Sequence, residues 1–221
     1  RIVKEITVAV KEGGNDPEAN PRLRLAIANA KGVNMPKDNI ERAIKKAGDK
    51  DADNYLELTY EGYAPHGIAI YVECTTDNQQ RTVSNVRSYF NKMDGSLAKN
   101  GSLSFLFDRK GVFRFQQNEL DQEELEMELI DGGAEDIELD DGYFTVTTSM
   151  EDFGNMLKKL EEMNIEPENS NLERIPHTRK ELPLEQAKTV MKLIDMLDED
   201  EDVQNVYHDM EITDELINEM E

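Results

Sequence analysis

Residues 55–93 constrain this chain more than any other stretch, because they spell two strands and a helix that cannot cover their own apolar surface. Leu56, Leu58 and Tyr60 alternate with Glu57, Thr59 and Glu61, and Ile68, Ile70, Val72 and Cys74 share one parity. That is the period of a half-buried strand, used twice. Gly62, Pro65 and Gly67 fall between the runs and predict a tight turn, hence a hairpin. Thr76 and Asp77 can cap a following helix, with Val83, Val86, Phe90 and Met93 on one face and Arg81, Asn85, Ser88 and Lys92 on the other. One helix on two strands leaves apolar surface in water, so a later part of the chain must return to complete the sheet.

The segment best suited to return lies near the end. Ala187, Val190, Met191, Ile194 and Leu197 mark an amphipathic helix, and Val206, His208, Met210 and Ile212 alternate with Asn205, Tyr207 and Asp209 as one strand. The expectation is a discontinuous central domain over residues 54–116 and 184–212, with 213–221 as a polar tail. Within it, 94–101 reads as loop, and 103–107 with 112–115 as a second hairpin turning through Asp108, Arg109, Lys110 and Gly111. Between the two halves, 117–176 reads α-β-β-α-β, an inserted small α+β domain of ferredoxin-like type, followed by an extended connector from Pro176 to Pro183.

Ahead of the hairpin come three short helices over residues 1–50. The first carries Ile2, Ile6, Ala9 and Val10 on one side and stops at Gly13 and Gly14. The second is announced by Asn20 as cap and Pro21 at its first position, and ends at Gly32; the third begins near Pro36 and carries Ile40, Ala43, Ile44 and Ala47. The first opens without a cap, which predicts that a natural N-terminal segment precedes this chain. The fold class expected is α+β in three domains: an N-terminal helical bundle, the discontinuous central domain and the insert.

The net charge of −23 is hostile to nucleic acid until it is divided along the chain. Residues 1–50 carry +4, residues 51–115 carry −1, residues 116–180 carry −14 and residues 181–221 carry −12. A polyanion is repelled by the second half and can meet the protein only through the first. The candidate surface there is Arg22, Arg24, Lys31, Lys37, Arg42, Lys45 and Lys46, extended by Arg81 and Lys92. Such cations neutralise phosphates and release condensed counterions without reading bases; the bland alternative is the ordinary solvated face of amphipathic helices. The acidic insert admits a docking role for a basic partner, against the simpler account of solubility.

Other chemistry finds little support. His66, His177 and His208 stand in no metal-ligand spacing with the single Cys74, which reads as a small buried hydrophobe, although the hairpin could bring His66 toward it. The acidic run 198–202 lacks the spaced ligands of a calcium loop and reads as a solvated turn. No metal or cofactor is expected, no membrane span, and no combination of nucleophile, base and oxyanion donors that would make an enzyme.

Several ordered motifs resemble one family. Glu12-Gly13-Gly14, Asp16-Pro17, the run from Asn20 to Ile27 and the run from Met35 to Ile44 are similar to the first domain of the YebC/PmpR family. Tyr60-Glu61-Gly62-Tyr63, Thr76-Asp77-Asn78, Arg81-Thr82 and Phe107-Asp108-Arg109-Lys110-Gly111 resemble its second, and the run from Asp202 to His208 its closing strand. Ala64, His66 and Asp94 stand where glycines are common in that family. The resemblance implies a non-enzymatic cytoplasmic protein of three domains, a DNA-binding transcriptional regulator, monomer favoured. Its alternative is a ribosome-associated translation factor that binds ribosomal RNA and relieves stalled synthesis, as related proteins including a mitochondrial translational activator do. Members begin with a basic segment ahead of the position where this chain opens.

Overall fold

The computed structural model describes all 221 residues and divides them into two compact units. The first comprises Asn54–Asp108 and Arg174–Glu221, together with Arg1. Its sheet contains β1 (Leu56–Tyr63), β2 (Ala69–Thr76), β3 (Ser96–Ala98) and β8 (Val203–His208), in the order β3-β1-β2-β8. β1 and β2 form the expected antiparallel hairpin, Leu56 opposite Thr76 and Tyr63 opposite Ala69. The returning strand β8 pairs antiparallel with β2, Val72 opposite Val206. Helices α4 (Gln79–Lys92) and α7 (Leu184–Glu199) cover one face, burying Ile68, Ile70, Val72, Cys74, Val86, Phe90, Val190 and Leu193 in one core.

β2 is not the half-buried strand its alternation predicts. Ala69 and Tyr71, of the other parity, are also buried, under Leu103 of a loop that crosses the face opposite the helices and under Phe107, where the next strand begins. An apolar run in alternate positions cannot reveal whether the intervening residues are covered from elsewhere. Residues 96–98 form the edge strand β3, within what reads as loop, because three residues are too few to show a period. The tail is likewise ordered. Thr213 caps α8 (Asp214–Met220), its hydroxyl accepting from the Leu216 N–H at 3.2 Å, and Leu216 is fully buried in the core under α7.

The second unit comprises Ile2–Asp53 and Arg109–Glu173. Here α1 (Ile2–Gly13), α2 (Pro21–Gly32) and α3 (Lys37–Ala47) bury Ile6, Ala9, Val10, Leu23, Ala26, Ala30, Ile40, Ala43 and Ala47 among themselves. The second sheet holds β4 (Phe107–Gln116), β5 (Ala134–Asp140), β6 (Tyr143–Ser149) and β7 (Asn169–Pro176), in the order β5-β6-β4-β7. With α5 (Gln122–Asp131) and α6 (Phe153–Glu162) this is the β-α-β-β-α-β arrangement of ferredoxin-like folds.

The sequence places the first strand of that sheet in the central domain and bends it into a hairpin; both are corrected by the structure. Residues 107–116 run straight as β4, paired with β6 from Lys110 opposite Ser149 to Gln116 opposite Tyr143. Phe107, Gly111, Phe113 and Phe115 share one parity, so the alternation continues through the apparent turn residues. Gly111 is there for contact rather than for turning: a Cβ on it would lie 2.4 Å from the Thr148 hydroxyl oxygen. Lys110 is held by Glu135 at 2.7 Å. The change of unit therefore falls at Asp108 and Arg109, ahead of the expected boundary at 116.

Within this unit the helices dock on the edge strand β7. The Asn29 side chain accepts from the Ser170 N–H at 2.9 Å and donates to the Ser170 carbonyl at 3.1 Å, pairing with the strand as another strand would. Gly32 lets α2 approach: a Cβ there would sit 2.1 Å from the Glu168 carbonyl oxygen.

Candidate nucleic-acid interface

The geometry of the candidate cations begins with how α2 is set. Asn20 accepts from the Leu23 N–H at 3.1 Å and donates to the carbonyls of Ala9 and Gly14 at 2.7 and 2.8 Å. One buried amide thus caps α2 and ties it to the end of α1. Arg22 strengthens the same joint, reaching Glu5 at 3.0 Å and Glu12 at 2.7 Å. Arg24 donates to the Pro17 carbonyl at 2.9 Å. Arg22 is half-buried in this joint, whereas Arg24 stays exposed while bonded to that carbonyl.

The remaining basic residues of the bundle face water. Ile40, Ala43 and Ala47 turn one side of α3 inward, which leaves Arg42, Lys45 and Lys46 exposed on the other. Lys31 is exposed in the last turn of α2, and Lys45 and Lys46 in that of α3, where the negative end of the helix dipole favours cations. Lys37 is exposed and only loosely paired, 3.8 Å from Glu41. At such an exposed pair little attraction survives screening.

In the other unit the two candidate residues of α4 part company. Arg81 makes two bonds to the buried Asp202, 3.0 and 2.7 Å, and a third to Asp77 at 2.8 Å. Asp202 also accepts from the Thr82 hydroxyl at 2.9 Å, so this pair fastens the start of α4 to the turn before β8. The acidic run read as a solvated turn is instead a brace. Its Asp200 accepts from the Tyr89 hydroxyl at 2.7 Å, and burial, then this carboxylate, push the Tyr89 phenol up to about 12. Asn85 turns the same way, 3.4 Å from Asp200, and so leaves the outward group in which the helical period places it.

Lys92 remains outward at the end of α4, on a solvent face with Ser84, Arg87, Ser88 and Asn91. Arg87 is the cation that sequence reasoning missed. Its signal is compositional: residues 78–107 contain one acid, Asp94, among the chain's 48. Of the nine candidates, Arg22, Arg24 and Arg81 have partners within the fold, Arg24 and Arg81 remaining exposed, while Lys31, Arg42, Lys45, Lys46 and Lys92 are exposed and Lys37 is exposed with one loose ion pair.

The histidines do not converge. His66 is exposed in the β1–β2 turn, His177 lies 2.9 Å from Asp108, and His208 is largely buried on β8. Cys74 faces Leu58 across the hairpin, which removes the contact with His66 that the turn suggested. No group of three or more His, Cys, Asp and Glu is arranged to hold a metal ion, and no helix is long and apolar enough to cross a membrane.

Comparison with known proteins agrees with this architecture. A crystal structure of a conserved hypothetical protein from Aquifex aeolicus superposes with a TM-score of 0.88 at 40% identity, covering 98% of this chain and 90% of that one. A probable transcriptional regulatory protein of Flavobacterium psychrophilum is 54% identical over 211 residues, which is 96% of this chain and 89% of that protein. One of the same description from Amoebophilus asiaticus is 52% identical, over 95% of this chain and 87% of the other. These names describe regulators rather than enzymes. Family models match most of the chain, the TACO1/YebC protein N-terminal domain over residues 1–50 and the TACO1/YebC second and third domain over 55–210, and the chain belongs to the TACO1/YebC family.

Proposed function

We propose that this protein is a non-enzymatic, DNA-binding transcriptional regulator that meets duplex phosphates through the outer faces of α2 and α3. The observation that carries the reading is the exposure of Lys31, Arg42, Lys45 and Lys46, none of them engaged by a carboxylate, on helices whose other arginines are engaged. Free cations can exchange water and counterions for phosphate, whereas Arg22 and Arg24 would first have to abandon partners. The names of the relatives support regulation of transcription. Nothing in this surface resembles a base-reading motif, so its affinity is electrostatic and tolerant of sequence.

Titration of labelled duplex DNA at two salt concentrations tests this. If about four phosphates are neutralised, affinity falls roughly a hundredfold between about 50 and 200 mM salt. Changing Arg42, Lys45 and Lys46 together to Glu should flatten that dependence as well as weaken binding. Binding that ignores both salt and the triple change would remove α3 from the interface.

A further inference from the structure

The loop that crosses the outer face of the first sheet is built to hold one aromatic ring in water. Leu103 and Phe107 are 2% and 7% exposed and pack with Ala69, Tyr71, Leu106 and Tyr207, whereas Phe105 between them is 67% exposed. No packing of the core requires a ring there. The loop is fixed from beneath by Glu61, which is 1% exposed. One of its carboxylate oxygens accepts from the Leu103 N–H at 2.9 Å and the other from the Gly101 N–H. Two further bonds tighten the bend, Ser102 N–H to the Lys99 carbonyl at 3.1 Å and Leu106 N–H to the Leu103 carbonyl at 3.0 Å. Burying a carboxylate is costly unless its lone pairs are used. Here they are used to set a loop.

The charge around this ring tells what it can meet. Residues 95–107, between Asp94 and Asp108, contain no acid, the Glu61 carboxylate beneath them is buried, and Lys99 is exposed at the start of the loop. In a chain of net charge −23 such a stretch is where an anion can approach. An aromatic ring on a braced loop with no acid of its own and one exposed cation has the elements of a stacking platform: an apolar π-face for a base and an ammonium for the phosphate. Bases in a duplex have both faces covered, so the ligand must be unpaired.

We propose that Phe105 stacks an unpaired base of single-stranded DNA, with Lys99 serving the adjoining phosphate. This rests on the reading of the protein as DNA-binding and extends it from duplex phosphates on α3 to an opened strand on the other unit. Glu61 is a positioning residue in this scheme.

The test uses the full chain and three labelled probes: an oligothymidylate, an oligouridylate and a DNA duplex, read by fluorescence anisotropy. Because Phe105 is exposed, Phe105→Ala and Phe105→Leu should fold normally, which melting curves check. Both variants should weaken oligothymidylate binding about tenfold, the scale of one lost base stack, and leave duplex binding unchanged. The combined change of Arg42, Lys45 and Lys46 to Glu should weaken the duplex. Wild-type affinity for oligothymidylate in both variants overturns the platform, and full affinity in Phe105→Leu alone reduces it to an apolar contact. Oligouridylate bound tenfold tighter than oligothymidylate overturns the choice of DNA. A self-associated wild type that Phe105→Ala dissociates in sedimentation would assign the ring to a contact between copies. If the wild type binds neither DNA probe, it is the underlying reading that falls.

Discussion

His208 is partly buried on β8, and its ring is kept neutral. Burial, with Arg179 adding to it, lowers its pKa from the usual 6.5 to about 4, and its Nδ1 accepts from the Met210 N–H at 3.1 Å. Protonation would destroy that acceptor. Above the ordinary pKa both folded and unfolded chains are neutral here and the contribution to stability is complete. As pH falls from about 6.5 to about 4 the unfolded chain takes up a proton that the folded one refuses, and up to roughly 2–3 kcal/mol is lost. Urea denaturation at the two ends of that range should show His208→Gln losing less stability than the wild type; equal losses would place the effect elsewhere. A second residue-scale consequence concerns the turns. His66 and Asp94 have φ of 67° and 58°, in the left-handed region that glycine adopts without strain; Ala64, at −74°, has no such need. Replacing His66 by Gly should raise stability by about 0.5–1 kcal/mol in thermal melts, since relief of the side chain outweighs the added freedom of the unfolded chain. Helical periodicity in the sequence identified which cations point outward, but not which are engaged. Arg81 and Asp202 are 121 residues apart, and Arg22 and Glu5 are 17 apart on different helices.

Elements were legible where they repeat their period several times. The three N-terminal helices, the first hairpin and the returning α7 and β8 all announce themselves by apolar spacing. β4 is hidden in the sequence because Asp108, Arg109, Lys110 and Gly111 have turn chemistry, while the features that keep it straight, Thr148 against Gly111 and Glu135 on Lys110, lie on other strands. β3 was too short to see, and α8 is fixed by one leucine and one cap. At this scale the junction of α2 with β7 is the most exposed to a single change. Gly32→Ala would drive a methyl group into the Glu168 carbonyl and part Asn29 from Ser170. Loss of one or two of these bonds should cost about 1–3 kcal/mol. Hydrogen exchange at the Ser170 amide should accelerate in that variant while the amides of β6 remain protected.

Across the whole molecule the uneven division of charge could be read directly from the sequence, and the connection between its parts could not. Acidic residues dominate from 116 onward, so the folded chain repels itself. Added salt up to roughly 0.2 M should therefore raise the melting temperature as it screens that repulsion, while it weakens the proposed DNA contact. Opposite signs from one titration would separate folding from binding; a melting temperature that fell over the same range would contradict this account of the charge. Asn29 joins helices that present Lys31, Arg42, Lys45 and Lys46 to a sheet whose strands lie largely in the stretch 116–180, of charge −14. Fastened in this way, the two signs cannot drift past each other, and this unit carries a permanent electric moment. A polyanion nearby exerts a torque on such a body before any atoms touch, so an encounter begins with the cationic helices already turned toward it.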